Sequence, residues 1–133
     1  MLSEKELRAQ GDDEYMSPSQ VQFFRYRLKV KAQDLRDRLY RNKEQCVVMR
    51  QPDETDAAVT EVQRSLALNI IERDSQELTS VVLALQIIDA SHYGYCIDTG
   101  EPIGIDRLLV VPESLYSVEA MRTKEAKKLH MRR

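Results

Sequence analysis

Cys96 has the setting of a metal ligand and none of the companions. It lies in Tyr93-Gly94-Tyr95-Cys96-Ile97-Asp98-Thr99-Gly100-Glu101-Pro102-Ile103-Gly104-Ile105. That is the spacing of a zinc knuckle, Cys-x-x-Cys, running into a glycine-containing hairpin. The second knuckle position is Thr99. Where a second ligand pair would follow, on the next helix, stand Ser117 and Ala120. A structural zinc site closes a tetrahedron of thiolates and imidazoles. One thiol, two hydroxyls and a methyl cannot close it. His92 and His130 form no recognised metal set with Cys96. We therefore expect no metal at Cys96, Thr99, Ser117 and Ala120, and a head held by other means. Ile103, Ile105, Leu108, Val110, Leu115, Tyr116 and Val118, with Tyr93 and Tyr95, are the residues expected to supply that packing. Cys96 itself reads either as a redox-sensitive thiol or as a packed relic of the knuckle, the second being the simpler reading.

A second group of chemical interest is the acidic pair in Asp53-Glu54-Thr55-Asp56-Ala57-Ala58. Two carboxylates at a loop can engage cations on a partner. They can also serve only as turn and N-cap groups, since aspartate is a favoured cap. No nucleophile–base pair and no glycine-rich phosphate loop occurs, so an enzyme is not expected.

These residues need elements to hold them. The chain has 133 residues, 42% of them apolar and 32% charged. That is enough for one domain with long, solvent-washed helices. Ser17-Pro18 starts a helix, with Ser17 as cap and Pro18 at the first position. It runs to about Met49 on a heptad-like seam of Val21, Phe24, Leu28, Ala32, Leu35, Leu39, Cys46 and Met49. The break is Arg50-Gln51-Pro52-Asp53-Glu54-Thr55, because Pro52 cannot continue a helix. A second helix is expected from Thr55 or Asp56 to Ala90. Its seam reads Val59, Val62, Leu66, Ile70, Leu78, Val81, Leu85 and Ile88, interrupted by Asp74. Two helices of about 50 Å, joined by a short loop, can bury their stripes only on each other.

The fold class is thus mainly α. A long antiparallel coiled-coil finger spans 17–91, with its tip at 50–58 and its base on the head. The head, 92–133, is a small zinc-finger-like β-hairpin without zinc, with Leu108-Leu109-Val110-Val111 as a β-rich run. A C-terminal helix opens at Pro112-Glu113-Ser114. Residues 1–16, polar and ending near Gly11-Asp12-Asp13-Glu14, are expected to form a mobile arm.

The net charge of −2 hides a segregation. Arg122, Lys124, Lys127, Lys128, Arg132 and Arg133 face a single acid, Glu125, within 121–133. The bland reading is a solvated face that suits the helix dipole; the sharper one is a surface for an acidic partner. A chain acidic overall is not built for duplex DNA. No apolar run is long enough for a membrane span, and Met1-Leu2-Ser3-Glu4-Lys5-Glu6-Leu7 has no signal-peptide character. Cys46 and Cys96 are then expected as reduced thiols, Cys46 in the core. A cytoplasmic monomer is expected.

The order helix, acidic tip, helix, Tyr93-Gly94-Tyr95-Cys96, Ile103-Gly104-Ile105-x-Arg107-Leu108 and terminal helix resembles the DksA/TraR family of bacterial RNA polymerase-binding regulators. The likeness runs from Glu14-Tyr15-Met16 onward. The pattern Cys-x-x-Thr then Ser-x-x-Ala looks like the zinc-independent paralogue of pseudomonads, thought to stand in when zinc is scarce. The resemblance implies a finger that enters the polymerase secondary channel. Its tip residues would be Asp53, Asp56 and Ala58. The expected effect is on open-complex stability at rRNA and amino-acid biosynthesis promoters in the stringent response. It implies ppGpp as co-effector at the polymerase interface. Of the cationic positions for that ligand Arg73 is retained, whereas the others fall on Glu77, Ser80, Val111 and Met121. Two alternatives stay open: a Gre-like transcript-cleavage stimulating factor with an acidic tip, and a coiled-coil adaptor binding through a helical face.

Overall fold

A computed structural model describes residues 1–48 and 57–131 of the chain. Five helices follow in order: α1 (Glu4–Ala9), α2 (Pro18–Val48), α3 (Ala57–Asp89), α4 (Ile105–Val110) and α5 (Val118–Met131), with a 3-10 turn at Asp12–Glu14. They divide into two compact units. One holds Met1–Lys29 and Leu83–Arg133, the other Val30–Val82. The expected boundary at residue 92 is therefore displaced, because the first turns of α2 and the last of α3 belong with the head.

The hairpin unit, Val30–Val82, is an antiparallel pair. Lys31 meets Glu77 at 3.1 Å and Arg38 meets Asp74 at 2.8 Å, so the partners advance in opposite senses. On α2 the inner positions are Ala32, Leu35, Leu39, Asn42 and Cys46, as the seam predicts. On α3 they are Thr60, Arg64, Ala67, Ile71, Asp74, Leu78 and Val81, in unbroken steps of four and three. This corrects the expected seam. Val59, Val62, Leu66 and Ile70 are exposed. Asp74 is a member of the seam, not an interruption. Its side chain is fully buried and receives two hydrogen bonds from Arg38, 2.8 Å from Nε and 3.0 Å from Nη2. That bidentate pairing holds the Asp74 carboxyl below its usual range against the opposing effect of burial.

The head unit packs Phe23, Phe24, Leu28, Ala84, Ile88, Tyr93, Ile103 and Leu108 into one core. Phe24 lies between rings, 5.2 Å from Phe23 and 5.7 Å from Tyr93. α2 begins as expected: Ser17 Oγ accepts from the Gln20 amide at 3.4 Å, and the buried Gln20 returns Oε1 to the Met16 amide at 3.0 Å. α3 ends in a Schellman motif. His92 N–H reaches Ile87 O at 3.1 Å and Ser91 N–H reaches Ile88 O at 3.0 Å, with Ser91 at φ 63°.

Three local expectations change. Residues 1–16 are not a loose arm. Ser3 caps α1 through the Glu6 amide at 3.2 Å, Leu7 is buried, and Arg8 pairs with Asp106 at 3.0 Å. Leu108-Leu109-Val110 is the last turn of α4, and Val111 is its C-cap. Gly104 O accepts from Leu108 N–H at 3.1 Å, and only Leu108 of the run is buried, while Val110 is 77% exposed. A short apolar run does not distinguish strand from helix. The expected hairpin is a single antiparallel bridge, Tyr95 to Pro102, since proline has no N–H to extend a ladder. Among the described residues no helix is long and apolar enough to cross a membrane.

Candidate functional site

The knuckle closes on itself through its backbone. Cys96 N–H reaches Glu101 O at 2.8 Å, Gly100 N–H reaches Cys96 O at 2.8 Å, and Ile103 N–H reaches Gly94 O at 2.8 Å. Gly94 and Gly100 take positive φ, 94° and 75°. At Gly94 the reason is also space, because a Cβ there would lie 2.6 Å from the Met16 side chain.

Each of the four positions expected as a degenerate zinc site has other work. Ser117 caps α5, its Oγ accepting from the Ala120 amide at 3.2 Å. α5 thus begins at Val118, later than the expected opening at Pro112-Glu113-Ser114, with Ser117 as its cap. Thr99 Oγ1 accepts from the Glu101 amide at 3.3 Å. Ala120 is a buried methyl. Cys96 is buried as a free thiol. Burial pushes its pKa up, but hydrogen bonds from the Thr99 hydroxyl and from the amides of Ser117, Thr99 and Asp98 outweigh that, bringing it down to about 6. Such a cluster of amides is an anion nest. The four positions do not fit zinc: two hydroxyls are committed to backbone amides, and a methyl has no donor. Among the described residues no group of three histidines, cysteines or acids is placed to hold a metal.

What ties the head instead comes from a segment whose role the sequence reading missed. Tyr15 Oη donates to Gly94 O and accepts from Gly104 N–H at 3.0 Å, joining the two sides of the knuckle. Its ring stands edge-on to Tyr95 at 5.6 Å. Arg107 Nε reaches Ser114 Oγ at 3.2 Å and Tyr116 O at 3.1 Å, and Tyr93 Oη donates to Pro112 O at 2.7 Å. Of the expected packing residues, Tyr93, Ile103 and Leu108 are buried; Tyr95, Val110 and Val118 are exposed. A local signal existed for α1 alone, the Ser3-Glu4-Lys5-Glu6 capping box; none pointed to Tyr15.

A family described as the prokaryotic dksA/traR C4-type zinc finger matches residues 92–126. The RNA polymerase-binding transcription factor DksA of Caulobacter vibrioides is 30% identical over 130 residues, covering 94% of this chain and 89% of that protein. The chain belongs to the DksA/TraR family. The DksA of Escherichia coli K12 is 28% identical over 121 residues, 90% of this chain and 80% of that one. Among solved structures, transcription factor DksA2 from Pseudomonas aeruginosa superposes with a TM-score of 0.87 at 36% identity, over 96% of this chain and all of that one. This DksA/TraR chain thus keeps the fold of a C4 finger family with one of the four cysteines in place.

The remaining expected site residues are dispersed. Asp53 and Asp56, with the rest of 50–56, lie outside the described residues. Ala58 is exposed in the first turn of α3. The Arg73 side chain is 69% exposed and touches Asp74 at 3.5 Å. Glu77 pairs with Lys31, and the Ser80 hydroxyl donates to Gln76 O at 3.2 Å. Val111 and Met121, in the head unit, are half-buried. On α5, Arg122, Lys124, Lys127 and Lys128 are exposed, Lys124 resting 3.7 Å above the Tyr116 ring.

Proposed function

We propose that this chain is a non-enzymatic transcription regulator that binds RNA polymerase and acts by inserting its helical hairpin into the secondary channel. The observation that carries the reading is its likeness, along nearly the whole length of both chains, to a relative named as an RNA polymerase-binding transcription factor. The hairpin supports it, being an antiparallel pair of helices with a single inner seam. Asp53, Asp56 and Ala58 would act at the tip by altering open-complex stability at rRNA and biosynthetic promoters. Carboxylates on a slender probe suit a channel lined by cations. Independence from zinc is supported by the duties of Thr99, Ser117 and Ala120 within the knuckle.

In-vitro transcription from an rRNA promoter tests the tip. Asp56→Asn protein should bind polymerase and inhibit poorly; inhibition equal to wild type rejects the tip as the acting part. Adding ppGpp to the same reaction measures what Arg73 supplies. A gain that Arg73→Ala abolishes assigns the contact. No gain assigns the loss to positions 77, 80, 111 and 121, none of which carries a cation. Stalled complexes should show no stimulated RNA cleavage, which separates this reading from a Gre-like factor.

A further inference from the structure

α3 carries two stripes, and the hairpin uses one. The inner stripe is Thr60, Arg64, Ala67 and Ile71, each half-buried, and the fully buried Asp74. The other is Val59, Val62, Leu66 and Ile70, exposed at 56%, 62%, 58% and 41%. At 3.6 residues per turn these four fall in one sector, roughly a third of a turn from the seam. The more apolar residues are the ones left outside. Single exposed aliphatics are ordinary on a protein surface, but a row of four at helical spacing marks an interaction face. The matching stretch of α2 is unlike it, since Asp34, Arg36, Asp37, Arg38, Arg41, Lys43 and Glu44 occupy its outer positions. From Gln63 to Ile71 on α3 the only charge is Arg64, which is turned toward the seam.

We infer that this stripe is a docking face for RNA polymerase, meeting an apolar surface inside the channel; the inference rests on the function proposed above. Two observations select that occupant. The stripe runs between Ala58 and Arg73, the two described positions on α3 expected to touch polymerase, and Arg73 falls in the same sector. Its size excludes a self-sufficient pairing of two copies. Four half-exposed aliphatic side chains fall well short of the roughly 800 Å² that each partner of a stable complex buries. The stripe serves as one wall of a larger contact, which a hairpin inside a channel provides.

The test uses the full chain and core RNA polymerase. Leu66→Gln with Ile70→Gln removes apolar surface without adding charge and, both sites being exposed, should leave the thermal midpoint unchanged. The affinity measured by competition should fall about tenfold or more, as for truncated anchor residues. Tyr40→Gln, an exposed change on α2, should leave it unchanged. Equal affinity of wild type and the double variant overturns the stripe while the proposed function stands. Failure of the wild type to bind polymerase overturns both. A wild-type dimer in sedimentation that the double variant splits, with polymerase affinity unaltered, assigns the stripe to a second copy and overturns the inference.

Discussion

The head unit and the hairpin unit are held by different kinds of contact. In the head, single side chains reach far along the sequence. Tyr15 joins Gly94 to Gly104, Arg27 Nη1 reaches Leu109 O at 3.3 Å, and Arg8 meets Asp106. In the hairpin, contact is repetitive, one layer after another along α2 and α3, with a buried ion pair at Asp74. Long-range ties fix one arrangement of irregular chain. A repeating seam tolerates weak layers such as Thr60 and Ala67, but a register slip would strand Asp74.

The largest effect should come from Arg38→Met in the hairpin. Leaving the buried Asp74 carboxylate with only its 3.5 Å contact to Arg73 should cost about 3 kcal/mol, read by urea unfolding. Arg38→Met with Asp74→Leu should regain most of it. A cost confined to the head would contradict the division. Tyr15→Phe comes next. It leaves Gly104 N–H without its partner and takes one of two donors from Gly94 O, which keeps Ile103 N–H, costing about 1–3 kcal/mol. Amide exchange should accelerate at 94–104 and not at 60–80. If the two regions lose protection together, they are one cooperative body.

The pH response should also differ. Asp74 has a lowered pKa, so its contribution is present above the usual carboxylate value and is lost as pH falls below about 4. Cys96, lowered to about 6, contributes fully above its ordinary value of 9.0, and the contribution fades as pH falls through 6. In Cys46→Ser protein, thiolate absorbance should titrate near pH 6; a midpoint near 9 would remove the nest from the account. The stability gap between wild type and Cys96→Ala should widen from pH 6 to 9. The smallest change is Ser91→Gly, which relieves a left-handed residue and should add about 0.5–1 kcal/mol. A strong chelator should leave the thermal midpoint unmoved.

The sequence made α2 legible because its apolar residues and its seam coincide at Phe24, Leu28, Ala32, Leu35 and Leu39. It misled on α3 because the two do not. Hydrophobicity chose Val59, Val62, Leu66 and Ile70, whereas the partner helix selects Thr60, Arg64, Ala67 and Ile71. Asp74 looked like an interruption because its partner, Arg38, is 36 positions away. Tyr15 was hidden for the same reason. A tie across 79 residues leaves no local pattern. The knuckle could be read because its turn needs are local, at Gly94 and Gly100. The Leu108 run could not, since apolar content alone does not set a period.

Ser117 sets a threshold against acquiring a metal. Its hydroxyl caps α5, so changing it to cysteine would remove a cap worth about 1 kcal/mol. The new thiol would gain nothing, because Thr99 and Ala120 would still leave a tetrahedron open. A zinc site at this knuckle would have to be assembled by several substitutions together, not one at a time.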